Sequence, residues 1–164
     1  MIFKQHLFHF KIILRPEELT KDFESILLQK VKDEYEGKAV ENYGIIKIVE
    51  KIIKIEEERI MDPIPNVLFK IKVVVKSYIP MKDDIIIMKI EKIIPYGIFL
   101  QMESFRVLIP ISNLDENVRI DVGKSAIIVK ENKEFKKDMD LQIQLQEIRY
   151  EKNGYNCLAK VYYE

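Results

Sequence analysis

The chain has 164 residues, with 27 basic and 27 acidic side chains, one cysteine and 48% apolar residues. Residues 1–80 hold 14 Lys/Arg against 13 Asp/Glu and residues 81–164 hold 13 against 14, which excludes a module that grips duplex DNA by phosphate neutralisation alone. No apolar run reaches the roughly 18–20 residues that span a bilayer, and one cysteine excludes an internal disulfide framework, so an intracellular chain without membrane contact is expected.

The opening stretch MIFKQHLFHFKIIL reads as a strand that ends before Arg15-Pro16, because a residue before proline is pushed to extended geometry. Charges run through it and no small-residue cleavage site follows, so no signal peptide is expected. In LTKDFESILLQKVKDEYEG, Leu19, Phe23, Ile26, Leu27, Val31 and Tyr35 recur at helical spacing. Thr20 is the expected N-cap and Gly37 the left-handed stop. The stripe predicts a helix packed on a sheet.

A turn at Asn42–Gly44 opens the next strand. Val67, Phe69, Ile71, Val73 and Val75 then alternate with Lys70, Lys72 and Lys76, giving one buried and one wet face. Pro80–Asp84 is the expected seam. The chain therefore reads as β-α-β-β over residues 1–80 and an all-β half over 81–164, a two-domain α+β architecture ending in a five-stranded β-barrel.

In IIPYGIFLQMESFRVLIPISNL (93–114) a Pro-Tyr-Gly interrupts a strand pattern. Glycine or a bulge lets a barrel strand bend. Tyr96 and Phe99, with Phe105 and Arg106 across the next hairpin, could form an exposed stacking platform for single strands; the alternative buries Phe99 and Phe105 in the core. Leu141, Ile143 and Leu145 alternate with glutamines, and Asn153-Gly154 predicts a tight hairpin with positive φ at both residues.

Chemistry is sparse. His6 and His9, three apart on a strand, lie on opposite faces and cannot share a metal ion. There is no cysteine pair, Walker loop or G-x-G-x-x-G, and five glycines make a phosphate cradle hard to build. No nucleophile–base pair can be assembled. Neither catalysis nor a metal or cofactor is expected.

Within this pattern, IIIMKIEKIIPYGIFLQM and FRVLIPISNL resemble the opening of an OB-fold of the ribosomal S-one type, and residues from Asp115 onward resemble its later strands and closing hairpin. Pro110 stands where that pattern has histidine, and Asp83 or Asp84 where it has glycine. IILRPEELTKDFESILLQKVKDEYEGKAVENYGIIKIVEKI is similar to the N-terminal domain of the larger stalk subunit of multi-subunit DNA-dependent RNA polymerases, a family that includes the archaeal stalk protein and the seventh subunit of polymerase II. NVLFKIKVVVKSYIPMKDDIIIMKIEKI resembles the family's strand crossing into its OB domain.

The resemblance implies a truncated RNP-like tip domain (1–80) that docks on the polymerase core near the clamp. It also implies an OB domain (81–164) that guides nascent RNA. Two loops, Glu36–Gly44 and Arg59–Val67, are expected to make the docking tip, with Lys38, Asn42, Tyr43, Gly44, Ile60, Met61, Pro63, Ile64 and Pro65 as contacts. The RNA candidates are Lys89, Lys92, Tyr96, Phe99, Arg106, Lys130 and Arg149, with weak binding expected. Family stalks carry a smaller partner subunit in the groove between the domains. The expected place is nuclear for a cellular eukaryotic polymerase, and cytoplasm or virion for an archaeal or viral one. Two alternatives stay open: a free-standing single-stranded-RNA-binding OB protein in translation or decay, and a structural subunit that has lost RNA binding.

Overall fold

The computed structural model describes residues 1–129 and 133–163. The chain divides into two compact units, Ile2–Ile79 and Pro80–Glu164, the second counted with Met1.

The first unit runs β1 (Lys4–Leu14), α1 (Phe23–Tyr35), β2 (Ala39–Val40), β3 (Gly44–Ile60) and β4 (Val67–Tyr78), with one antiparallel sheet in the order β1-β4-β3-β2. The helix lies on one face of it. Leu27 and Val31 are fully buried against Phe10, Ile12, Leu14 and Ile71, each side chain contributing about 1.5–3 kcal/mol by leaving water. The alternation in β4 behaves as the pattern requires: Phe69, Ile71, Val73 and Val75 face the helix, and Lys70, Lys72 and Lys76 the opposite side.

The helix starts later than its stripe suggests. A 3-10 turn over Pro16–Glu18 follows β1, its Glu18 carboxylate accepting the Arg15 backbone N–H at 3.0 Å. Thr20 sits in the following turn, and the N-cap is Asp22, without a side-chain capping bond. Lys21 and Asp22, which Thr20 would have capped, form instead a turn closed by the Phe23 N–H donating to the Thr20 carbonyl at 3.2 Å. Gly37 does adopt the left-handed conformation, at φ 78°.

Strand β3 departs from ordinary alternation. Its register against β4 shifts four times, between Ile46/Ile48, Val49/Lys51, Ile52/Lys54 and Ile55/Glu57. Each shift inserts an extra residue, so the helix-facing positions Ile46, Val49, Ile52 and Ile55 recur every third residue. Glu36, just past the helix, accepts the Val49 N–H at 2.9 Å.

In the second unit, β5 (Ile85–Ile94), β6 (Gly97–Met102), β7 (Phe105–Pro110), β11 (Asp140–Glu151) and β12 (Gly154–Val161) close into a barrel in the order β11-β12-β7-β6-β5, with β12 parallel to β7. This five-stranded closed barrel is consistent with an OB-fold. Ile90, Ile98, Leu100, Phe105, Ile109 and Ile143 fill its interior. Phe105 is thus core, not platform. Between β7 and β11 lies a separate three-stranded sheet of β8 (Val118–Asp121), β9 (Ala126–Val129) and β10 (Lys133–Lys136). Among the described residues the all-β half therefore has three strands beside the five of its barrel; these three are four residues each, too short for a periodic signal.

Two glycines of the barrel are set by neighbouring backbone. Pro95-Tyr96 is the two-residue connection between β5 and β6, since Ile94 pairs with Gly97. A Cβ on Gly97 would lie 2.5 Å from the Ile109 carbonyl oxygen, and one on Gly154 2.7 Å from that of Ser104. The bend of β5 falls instead at the register shift between Ile90 and Lys92. The last hairpin is one residue off its expected place: Glu151 pairs with Gly154, and Lys152 and Asn153 carry the positive φ, 53° and 61°. Gly154 is needed for the close approach of β12 to the chain at Ser104, so the turn moves back by one.

Candidate functional site

The barrel presents a groove of about 480 Å³ on the outer face of β6, β7, β12 and β11. Side chains alternate across a strand, so alternate residues line this face. The register builds two rows. Gln101, Arg106, Asn156 and Arg149 make one, as successive cross-strand partners; Lys92, Phe99, Leu108, Leu158 and Glu147 make the other.

Among the sequence candidates, Phe99, Arg106 and Arg149 come together in this groove, and Lys92 adjoins it as the partner of Phe99. Phe99 is 37% exposed, enough to offer a ring face. The Arg106 Nε is buried without a hydrogen-bond partner, and its guanidinium packs over Gly154. Tyr96, 78% exposed, stands at the β5–β6 turn, beyond the Gly97 end of β6. Lys89 pairs with Asp140 at the opposite end of β11 from Arg149. Lys130 lies outside the described residues. Pro110 pairs with Gly97, away from Arg106.

Leu108, Asn156, Leu158, Glu147 and Glu151 also line the groove, and none stood out in the sequence. Their signal is the alternation of β7, β11 and β12, which becomes readable only once the register is known. The two glutamates matter chemically. They set two negative charges beside Arg106 and Arg149, which weakens the groove's pull on phosphate. One exposed ring gives a single stacking surface. Cys157 backs the groove; burial pushes its thiol up to about 12.

The first unit carries the other candidates. The loop between β3 and β4 is closed by the Met61 N–H donating to the Asn66 carbonyl at 2.8 Å. Ile60 is 65% and Ile64 55% exposed, Pro63 and Pro65 are exposed and Met61 is half-buried. This projecting loop is more apolar than solvent contact alone favours.

The Glu36–Gly44 loop is different. Lys38 and Asn42 are exposed, but the Tyr43 ring stacks on Phe8 at 4.0 Å and its hydroxyl donates to the His9 carbonyl. Gly44 is buried at φ 78°, against the Tyr78 backbone. The register puts Gly44 and Ile45 at the Tyr78 end of β4 and the Met61–Asn66 loop at its Val67 end. The two loops therefore do not form one tip, because the whole length of β4 separates their anchor points. His6 stacks on Phe8 while His9 faces the other way, toward Glu56.

No group of three or more His, Cys, Asp or Glu side chains could hold a metal ion among the described residues. Nor is any helix among them long and apolar enough to cross a membrane.

Residues 11–65 match the family described as "SHS2 domain found in N terminus of Rpb7p/Rpc25p/MJ0397". The first unit carries an SHS2 domain of the Rpb7 type. The match spans the last four residues of β1, all of α1, β2 and β3, and the projecting loop as far as Pro65, in the strand–helix–strand order seen in the structure. It covers 55 of the chain's 164 residues and likens that stretch to the N-terminal domain of RNA polymerase stalk subunits. No curated protein matches the chain at a significant level.

Proposed function

We propose that this chain is a non-catalytic stalk subunit of an intracellular DNA-dependent RNA polymerase. In this reading the SHS2 unit docks on the core enzyme near the clamp and the barrel faces emerging RNA. The observation that carries it is the SHS2 match over residues 11–65. The apolar loop at Ile60–Pro65 supplies the docking contact, since Ile60 and Ile64 project into solvent. The Lys38–Asn42 segment, set apart from it, is a second and separate contact.

The barrel groove favours a narrower role for RNA. Glu147 and Glu151 face Arg106 and Arg149 there, and Phe99 is its one aromatic lining residue. Such a groove supports weak contact with single strands, or a structural subunit whose barrel has given up RNA binding. A smaller stalk partner belongs to the same proposal.

The test is affinity purification of the tagged chain from its native source, with bound proteins identified by mass spectrometry. Large polymerase subunits should co-purify with the parent and be lost with Met61→Glu/Ile64→Glu, whose circular dichroism should match the parent. Undiminished recovery with the double variant would remove the loop from the docking surface. Recovery of ribosomes or RNA-decay factors would replace the stalk by a free-standing RNA-binding protein. Fluorescence titration of oligouridylate against Phe99→Ala and Arg106→Ala then decides whether the groove holds RNA.

A further inference from the structure

The zero net charge conceals a polarised first unit. The face of its sheet turned away from α1 takes Lys11, Lys70, Lys72 and Lys76 from β1 and β4. The four shifts of β3 add to this face, because the partners of Lys76, Val74, Lys72 and Leu68 there are Ile48, Lys51, Lys54 and Arg59. Lys47 sits at the first shift, over the Phe3 ring. Against these eight cations stand three acids, Glu50, Glu56 and Glu57, giving +5. The remainder of residues 1–80 holds six Lys/Arg and ten Asp/Glu, giving −4.

The acids are already engaged. Glu57 pairs with Lys70 at 2.7 Å, Glu50 with Lys76 at 3.8 Å, and Glu56 with His9. Lys11, Lys51, Lys54 and Lys72 form no ion pair among the described residues. Moreover, Lys54 lies directly opposite Lys72, and Lys11 directly opposite Lys70. Like charges facing each other across strands destabilise a sheet, and a bound anion would relieve them.

Aliphatic groups are interleaved with the cations. Leu7, Ile13, Ile48 and Ile53 are 42–52% exposed, and Leu7 flanks the Val74–Lys51 pair. Between Lys11 and Lys76 the face carries no exposed Phe, Tyr or Trp ring among the described residues: Phe8, Phe10 and Phe69 all point to the helix side, and the imidazole of His9, which does share the open face, is tied to Glu56. A nucleic acid gains from rings that stack on bases and little from isoleucine. A polypeptide with acidic and aliphatic side chains gains from both features.

We propose that the open face of this sheet is a docking surface for an acidic, amphipathic protein segment, held by Lys54 and Lys72 and by the aliphatic positions Leu7 and Ile53. The surface is distinct from the apolar loop and does not depend on the stalk reading.

The experiment uses the purified full chain and a fluorescein-labelled synthetic helical peptide with glutamates on one face and leucines on the other. Polyglutamate and oligouridylate of equal net charge are the comparators. The peptide should bind more tightly than either. Lys54→Glu/Lys72→Glu should weaken it by about tenfold or more. Leu7→Ser/Ile53→Ser should weaken the peptide and leave polyglutamate unchanged. Leu7, Ile53 and Lys54 are exposed and Lys72 is half-buried, and matching circular dichroism confirms that both variants fold. Oligouridylate binding as tightly as the peptide would make this a nucleic-acid surface and overturn the proposal. So would an absence of peptide binding, or binding indifferent to the lysine reversals. Met61→Glu/Ile64→Glu should leave this binding intact, so failure here and failure of polymerase docking are distinguishable.

Discussion

Replacing Gly44 by alanine tests whether the Asn-Tyr-Gly turn serves the fold or an interface. Gly44 adopts φ 78°, and an added Cβ would lie 2.1 Å from the Tyr78 oxygen, 2.6 Å from its carbonyl carbon and 2.8 Å from Ile79 Cα. A left-handed conformation costs an alanine about 1–2 kcal/mol. All three close atoms are backbone, so β4 must shift at its end, adding roughly 1–3 kcal/mol of the kind seen on overpacking. The expected loss is about 2–5 kcal/mol, a large share of the roughly 5–15 kcal/mol that holds a domain together. For a unit of this size that lowers Tm by roughly 10–30 °C. Differential scanning calorimetry measures the shift, and amide hydrogen exchange should place the loosened protection in β3 and β4. Gly123→Ala is the control: its Cβ would meet only the Asp121 Oδ1, at 3.5 Å, so its change should stay within about 0.5 kcal/mol. A Gly44→Ala protein melting within about 2 °C of the parent would refute the steric reasoning and return the turn to interface duty.

Two further outcomes follow from protonation. The Arg15 backbone N–H and the Lys30 ammonium hold Glu18 down at about 2, against an ordinary 4.5. A lowered carboxyl stabilises the fold above its unfolded value and loses that contribution as pH falls from 4.5 toward 2. Glu18→Gln should therefore lower Tm at pH 7 and flatten the decline of Tm between pH 4.5 and 2. Parallel acid profiles in parent and variant would contradict this. Cys157, raised to about 12 by burial, should react with a thiol-specific disulfide reagent at pH 8 only after denaturant is added. Fast labelling of the native chain would show that the barrel wall opens there.

Local periodicity was enough for several elements. The α1 stripe, the alternation in β4 and in the Leu141–Leu145 part of β11, before its register shift at Glu147, and the apolar Ile60–Pro65 loop each depend on residues a few positions apart, where side-chain direction follows directly from the backbone repeat. The glycine stop after α1 is equally local. What the sequence by itself determined is therefore the order of elements in the first unit, the helix face that is buried, and the resemblance those elements bear to a polymerase stalk.

Tertiary structure decided the rest, because it depends on contacts between residues far apart in the chain. Gly154 is set by the Ser104 carbonyl, about fifty residues earlier, and that contact moved the hairpin turn onto Lys152-Asn153. The four shifts of β3 exist only relative to β4, and they decide which lysines share a face. The same pairing parted the two loops expected to form one tip. Barrel closure brought Phe99, Arg106 and Arg149 together, but also set Glu147 and Glu151 among them. A charge tally sums over the chain and is blind to faces, so a net charge of zero could hide a +5 surface that only strand register reveals.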